Sequence, residues 1–229
     1  MSDRPPAIAE SLLAEAVEMA EAAARLTLRW FNADDLDVRR KLDGTVVTEA
    51  DVAVEDLLRS EIGRRFPHDG VVGEERGTSE GASGRRWIID PIDGTISFVH
   101  GVPLYSTLLA LEDPDGPALG IICLPALGET VAAGRGLGAS FNGSPCNVSD
   151  TATLGDAVIT TSAFDADWWG DDHLLAIASS GAATRTWGDG YGYALVATGR
   201  ADAMIEPPVN PWDIPPMLSI IPEAGGTIT

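Results

Sequence analysis

The chain has few cysteines, almost no lysine and too little positive charge for several common roles. Cys123 and Cys146 are its only cysteines in 229 residues, too few for a disulfide framework and without the spacing of a zinc site. A reducing compartment is the default expectation. Lys41 is the only lysine, and 15 Lys and Arg stand against 35 Asp and Glu, for a formal net charge of -20 and a pI near 4.2. That balance excludes a basic surface for nucleic acid or anionic membrane, and a phosphate ligand would be repelled unless cations were bound first. His68, His100 and His173 are scattered, and no apolar run approaches membrane-spanning length. Pro5 and Pro6 lead into a segment punctuated by Glu10, Glu15, Glu18 and Glu21, unlike a signal peptide. The expectation is a soluble, cytoplasmic protein.

What is present suits a folded chain with a sizeable core, since 45% of residues are hydrophobic. Ile8, Leu12, Leu13, Ala16, Val17, Ala20 and Ala24 recur at helical spacing, so an amphipathic helix is expected between Ala7 and Phe31. Lys41-Leu42-Asp43-Gly44-Thr45 reads as a loop closed by an Asp-Gly turn. Thr48, followed three places on by Asp51, opens a second helical pattern of Val52, Leu57, Leu58, Ile62 and Phe66, ended by Pro67. Asp51 therefore reads as a capping residue or as a group near a metal site. Val71 to Glu75 is a short β-branched run stopping at paired acids. Residues 76–86, rich in Gly, Ser and Arg, read as a mobile loop able to cover a site.

The stretch around which the rest is arranged is Trp87-Ile88-Ile89-Asp90-Pro91-Ile92-Asp93-Gly94-Thr95. An apolar run delivers Asp90 at an expected strand end, Pro91 stiffens the next step, and Asp93 precedes a glycine and a hydroxyl. Paired carboxylates on a rigid turn can ligate a hard cation such as Mg²⁺ through oxygen. Gly94 lets an anion approach the backbone N–H groups, and Thr95 is placed to cap a following helix. Ordinary turn chemistry accounts for the same residues.

An antiparallel meander is expected from Val102 to about Ser140, and a hinge at 151–153 puts a domain boundary near residue 150. The second half reads as a strand over Ala157 to Thr161, a helix over His173 to Ser179, a small-residue helix over Gly190 to Thr198, and a strand over Ala201 to Ile205. Glu206 to Pro211 forms a proline-rich turn. A last helix is expected to start at Trp212-Asp213 with Asp213 as its cap, and to bend or end at Pro222.

Lys41-x-Asp43-Gly44-Thr45-x-x-Thr48-x-x-Asp51, then Gly73-Glu74-Glu75, then Asp90-Pro91-Ile92-Asp93-Gly94-Thr95-x-x-Phe98, then Trp212-Asp213 form an ordered set. The set resembles the inositol monophosphatase family of metal-dependent phosphatases, from about residue 37 to the end. Arg185 to Tyr193 and Asn210 to Asp213 are similar to its histidinol-phosphate phosphatase branch. The resemblance implies an α/β fold, a layered α-β-α-β-α sandwich, with paired helices, an antiparallel N-terminal sheet (1–150) and a smaller C-terminal α/β half (151–229). It implies two or three Mg²⁺ per site, held by Glu74, Asp90, the Ile92 carbonyl, Asp93 and Asp213. Glu74 and Thr95 would orient and deprotonate the attacking water, assisted by Asp93 and by Asp51 behind them. Gly94 and Thr95 would meet the phosphate, and Arg185 would line the substrate pocket.

Histidinol phosphate carries an ammonium group and an imidazole, so Asp189 and Glu206 suit it better than an uncharged polyol. Asp189 also reads as a helix cap. The implied activity is hydrolysis of L-histidinol phosphate in histidine biosynthesis. Inositol monophosphatase or broad sugar-phosphate phosphatase activity is the alternative, and an inactive phosphatase-like binding protein is the alternative of another class. A homodimer is the implied assembly. The chain departs from the branch at Ile96, where Lys is frequent, at Gly190, and at Ile214-Pro215-Pro216. Family members usually continue beyond the Glu223-Ala224-Gly225-Gly226 segment, whereas the sequence here stops at Thr229, which fits a truncated chain and a short one alike.

Overall fold

Strands buried on both faces have no polar side, and the central runs of this chain are of that kind: Ser106 to Leu111 and Ala118 to Leu124 are buried without interruption. In the computed structural model, which describes residues 5–41, 44–163, 175–206 and 209–229, these runs lie at the centre of an eight-stranded sheet. Its strands are β3 (Gly70–Gly73), β4 (Gly77–Ser79), β5 (Arg86–Asp93), β6 (Ser106–Asp113), β7 (Gly116–Leu124), β8 (Glu129–Gly134), β9 (Gly138–Phe141) and β10 (Ser144–Cys146). The order is β10-β9-β8-β7-β6-β5-β3-β4. From β6 to β9 it is the expected meander, which β5 and β10 extend at its two ends, and the parallel pairing of β3 with β5 makes the sheet mixed.

One face of this sheet takes α1 (Glu10–Thr27) and α2 (Glu49–Arg65), whose Met19, Ala20, Val54, Leu58 and Ile62 pack on Trp87, Ile89, Leu109, Leu111 and Ile121. The opposite face takes α4 (Asp189–Ala197) and α5 (Met217–Glu223), with Leu195, Met217 and Ile220 against Leu108, Ile122 and Val131. Each such Leu or Ile contributes about 1.5–3 kcal/mol on leaving water. Beyond them β11 (Val158–Thr160) pairs in parallel with β12 (Ala183–Arg185) and β13 (Ala203–Met204). A hairpin of β1 (Val38–Arg40) and β2 (Val46–Thr48) leads into α2. The layers are those of the expected α/β sandwich. No helix among the described residues is long and apolar enough to cross a membrane.

Several local expectations change. Residues 76–86 are not simply loop: Gly77 to Ser79 form β4, paired with β3, because the backbone there completes a sheet edge whatever its side chains. The last helix begins at Met217 rather than at Trp212-Asp213. Each of Pro215 and Pro216 disfavours the helical conformation in the residue before it, so residues 211–216 form turns and Asp213 precedes the helix instead of capping it. Pro222 is accommodated one residue before the end. Residues 175–179 are helical, while the start of that expected helix at His173 lies outside the described residues, as do Asp43 of the Asp-Gly turn and Pro207 and Pro208 of the proline-rich turn.

Candidate active site

Residues three apart on a regular strand point to opposite faces, so Asp90 and Asp93 would be separated were β5 regular. It is not. Asp90 lies opposite Leu108 and Asp93 opposite Ser106, so β5 advances by one residue more than its partner, a β-bulge. The extra residue brings both carboxylates to the same side of the sheet and continues the strand past the end expected at Asp90. Ile92 is turned into a small core with Phe98 and Tyr105. Gly94 then adopts a φ of 79°, where a side chain is costly, and α3 (Thr95–Val99) begins. Thr95 is the first helical residue rather than the cap, and its hydroxyl donates to the Ile92 carbonyl at 3.0 Å.

Glu74 and Glu75 follow β3. Lys41, from the turn of the β1–β2 hairpin, donates to Glu74 Oε1 at 2.7 Å and to Glu75 Oε1 at 2.6 Å. Burial works against the Lys41 ammonium, yet these bonds outweigh it and raise its pKa. Burial likewise raises Glu75. Asp51 forms the capping box that the spacing suggested: Thr48 Oγ1 accepts from Ala50 N–H, and Thr48 N–H donates back to Asp51 Oδ2 at 2.8 Å. Its carboxyl is nevertheless pushed up to about 7, mainly by burial, with Glu75 and Glu74 adding repulsion. Asp51 is thus both cap and neighbour of the paired glutamates.

Asp93 Oδ2 accepts from Ser106 Oγ at 2.7 Å and from Gly190 N–H at 2.5 Å. A Cβ on Gly190 would stand 2.8 Å from Asp93 Oδ2 and overlap Ser106 Oγ, so only glycine permits this approach. Asp189, at the start of α4, is in the left-handed region with φ 54°, a conformation costing about 1–3 kcal/mol for a non-glycine residue. Its side chain does not cap the helix. It meets Ser162 Oγ at 3.2 Å, and its Oδ2 lies 2.9 Å from where a Cβ of Gly94 would be. The space that Gly94 leaves open is therefore bordered by a carboxylate. Ser162 also donates to Glu206, through Oγ at 2.6 Å and N–H at 3.2 Å, and accepts from Asp189 N–H at 2.8 Å. Burial pushes Glu206 up to about 7, opposed by Ser162 and reinforced by Asp189. Asp93, Asp189, Glu206 and Asp213 border one cavity of about 30 Å³ with Tyr193 and Val209.

Asp213 accepts from Asn210 N–H at 2.9 Å, which holds its carboxyl toward this cavity. Burial raises it, against the Asn210 bonds and a hydrogen bond shared with Asp90. Asp90 is held well above the ordinary carboxylate range by complete burial and then by Asp93, Glu74, Asp213 and Asp51. Asp93 meets solvent at the cavity yet is densely surrounded by protein, and burial followed by the charge of Asp189 raises it too.

Among the described residues, no His, Cys, Asp or Glu side chains stand in the tight grouping of a formed metal site. Glu74 is hydrogen-bonded to Lys41, Asp93 to Ser106 and Gly190, and Asp213 to Asn210. The residues nevertheless fit a hard divalent cation. Asp90 Oδ1 is buried without a hydrogen-bond partner among the described residues, and an orphaned carboxylate oxygen facing further carboxylates is stabilised only by a proton or a cation.

Arg185 stands apart. It is exposed, donates to the Thr184 carbonyl and lies over the Trp187 ring at 5.8 Å, and it does not border the cavity. Ile96 is 69% exposed on α3. Ser106 and Ser162 were not anticipated, and Asn210, named within the branch motif, was given no role there; it lies three residues from the Asp213 it holds. A serine in an apolar strand or a polar loop has no distinguishing pattern, and only the long-range pairing reveals these two.

The family model of the inositol monophosphatase family matches residues 8–229. A histidinol-phosphatase of Chlorobaculum parvum is 45% identical over 213 residues, spanning 92% of this chain and 82% of that protein. A histidinol-phosphatase of Mycobacterium tuberculosis is 39% identical over 93% and 85% of the two chains. Among solved structures, the IMPase of Thermotoga maritima superposes with a TM-score of 0.85 at 33% identity, covering 96% of this chain and 85% of that one. With the fold, the acids of the β5 bulge and these likenesses in agreement, the chain belongs to the inositol monophosphatase family of phosphatases.

Proposed function

We propose that this phosphatase hydrolyses a phosphomonoester whose alcohol carries a cationic amine, with L-histidinol phosphate as the substrate and a place in histidine biosynthesis. The observation that carries this reading is the pairing of Asp189 with Glu206 through Ser162 on the cavity that Asp93 and Asp213 also border. An uncharged polyol gains little from such a pair, whereas an ammonium group answers both carboxylates. The names of the relatives from Chlorobaculum parvum and Mycobacterium tuberculosis support the same choice.

Glu74, Asp90, the Ile92 carbonyl, Asp93 and Asp213 are the groups that would hold Mg²⁺. When bound, Mg²⁺ supplies charge neutralisation for the phosphate and activation of water. The chain's own groups do the rest. The Thr95 hydroxyl spends its hydrogen on the Ile92 carbonyl, which leaves its oxygen lone pairs free to accept a hydrogen bond from the attacking water, whose proton passes to the Glu74 carboxylate. Glu74 is oriented by the hydrogen bond from Lys41. Ser106 and Gly190 N–H keep Asp93 fixed, and Asn210 keeps Asp213 fixed, so little reorganisation is required when the substrate arrives. No cysteine or histidine nucleophile takes part, and a covalent phosphoenzyme is not needed.

The test is turnover of L-histidinol phosphate against inositol 1-phosphate and a sugar phosphate in Mg²⁺. A strong preference for the first is expected, and Asp189→Asn or Glu206→Gln should raise KM for it while changing the others little. Equal turnover of all three would replace the reading with a broad phosphatase. Binding of Mg²⁺ and phosphate without turnover of any monoester would make the chain a phosphatase-like binding protein.

A further inference from the structure

On the inner side of α2, Asp51, Glu55 and Arg59 follow one another at i, i+4 spacing and face the turn that carries Glu74 and Glu75. Glu55 is fully buried at 0% exposure. Its Oε2 accepts from Glu75 N–H at 2.6 Å and its Oε1 from Arg76 N–H at 3.1 Å, while Arg59 Nε donates to Oε1 at 2.7 Å. Arg59 goes on to the Gly77 carbonyl and, at 3.2 Å, to Ser79 Oγ, which ties the same helix to β4. A Cβ at Gly73 would overlap the Glu55 carboxylate, with Oε2 at 2.8 Å, so the glycine ahead of the glutamates exists in register with this contact.

We infer that Glu55 is a positioning residue for the divalent cation: its buried carboxylate holds the backbone of residues 74–76 so that the Glu74 side chain is presented toward Asp90. The inference rests on the reading that Glu74 helps to hold that cation. Glu55 itself touches neither substrate nor cation. Its part is to fix the main chain from which Glu74 projects, which matters because a carboxylate displaced by a fraction of its own length no longer completes a coordination shell. A glutamate is required because its two oxygens serve successive N–H groups at once, and the charge makes each bond stronger than a neutral acceptor would.

The experiment is Mg²⁺ titration calorimetry on the full chain, with thermal unfolding and the Mg²⁺ dependence of hydrolysis on the same samples. Glu55→Gln should weaken Mg²⁺ binding by about 10- to 100-fold, with kcat approaching that of the unaltered protein once Mg²⁺ saturates. Gly73→Ala should reproduce the defect by displacing the same carboxylate. Arg59→Gln, which leaves both N–H bonds to Glu55 in place, should lower the melting temperature and leave Mg²⁺ affinity within about threefold, well short of the loss expected for an outer-shell partner. A folded Glu55→Gln or Gly73→Ala protein with unaltered Mg²⁺ affinity overturns the inference, as does an Arg59→Gln loss as large as that of Glu55→Gln. Should both altered proteins fail to fold, hydrogen exchange on the unaltered one decides: slow exchange at the Glu75 and Arg76 amides supports the inference, and fast exchange there overturns it. Failure of the unaltered protein to bind Mg²⁺ would instead reject the functional reading on which the inference stands.

Discussion

Gly190 donates its backbone N–H to Asp93 Oδ2 at 2.5 Å across 97 positions of the chain. The bond ties the β5 bulge to the first turn of α4, and so joins the side bearing the proposed cation ligands to the side bearing Asp189. Gly190→Ala should break it, because a Cβ there overlaps Ser106 Oγ and crowds Asp93. We expect about 1–3 kcal/mol of destabilisation from overpacking and a loss of kcat/KM on the order of 100-fold. Chemical denaturation and steady-state kinetics check the two effects, and a fully active alanine protein would contradict the assignment.

Replacing Asp93 by Asn keeps the volume and an oxygen for Ser106 and Gly190, but removes the charge. Hydrolysis should fall to background while the circular dichroism spectrum and cooperative unfolding stay as they were. Because burial and the charge of Asp189 disfavour the Asp93 carboxylate in the folded state, the altered protein should be no less stable without Mg²⁺. A drop in stability would mean that Asp93 serves the fold more than the chemistry.

Mg²⁺ removal supplies a third measurement. Asp90 is buried amid the charges of Asp93, Glu74, Asp213 and Asp51, so a cation that binds only the folded chain must stabilise it. At about 100 times its Kd a ligand adds about 2.7 kcal/mol, which for a chain of this size is roughly 5–10 °C in melting temperature. Scanning fluorimetry in EDTA and in excess Mg²⁺ should show that rise. Asp90→Asn should abolish the rise without lowering the melting temperature measured in EDTA.

Far from the site, Arg135 grips Asp113 through Nη1 at 3.1 Å and Nη2 at 2.6 Å, and the same guanidinium reaches the Pro6 and Pro117 carbonyls. The Arg135 hydrogen bonds hold Asp113 below the ordinary carboxylate range, against a smaller opposing effect of burial. A depressed folded-state pKa contributes stability above the unfolded value of about 3.9, and that stability is lost as pH falls through the folded value. Asp113→Asn should therefore cost about 1–2 kcal/mol at neutral pH and nothing once Asp113 is protonated in the native protein. Urea unfolding at pH 7 and in increasingly acid buffers measures the difference between the two proteins, which must shrink toward acid.

The periodicities of α1 and α2, the Thr48–Asp51 cap and the β6 to β8 meander were legible because each is written in neighbouring residues: a repeat of apolar positions, a cap and its partner, a turn between two runs. The same holds for the motif acids, which the resemblance picked out by type and order. Residues 76–86 were not legible, since the pairing of β4 with β3 is made by backbone groups that any side chain allows. The start of the last helix was missed because the consecutive prolines after Asp213 weigh more than the capping signal.

By itself, then, the sequence determined which carboxylates the protein owns, the segments that carry them and the layers those segments build, since local patterns and burial need no knowledge of distant contacts. Only the tertiary structure decided how the acids face one another. An extra residue in β5 turns Asp90 and Asp93 to one side, Ser162 draws Asp189 and Glu206 together, and Lys41 takes up Glu74. The first depends on how β5 pairs with β6 and the other two join residues far apart in the chain through shared hydrogen bonds, and no spacing along the polymer encodes them.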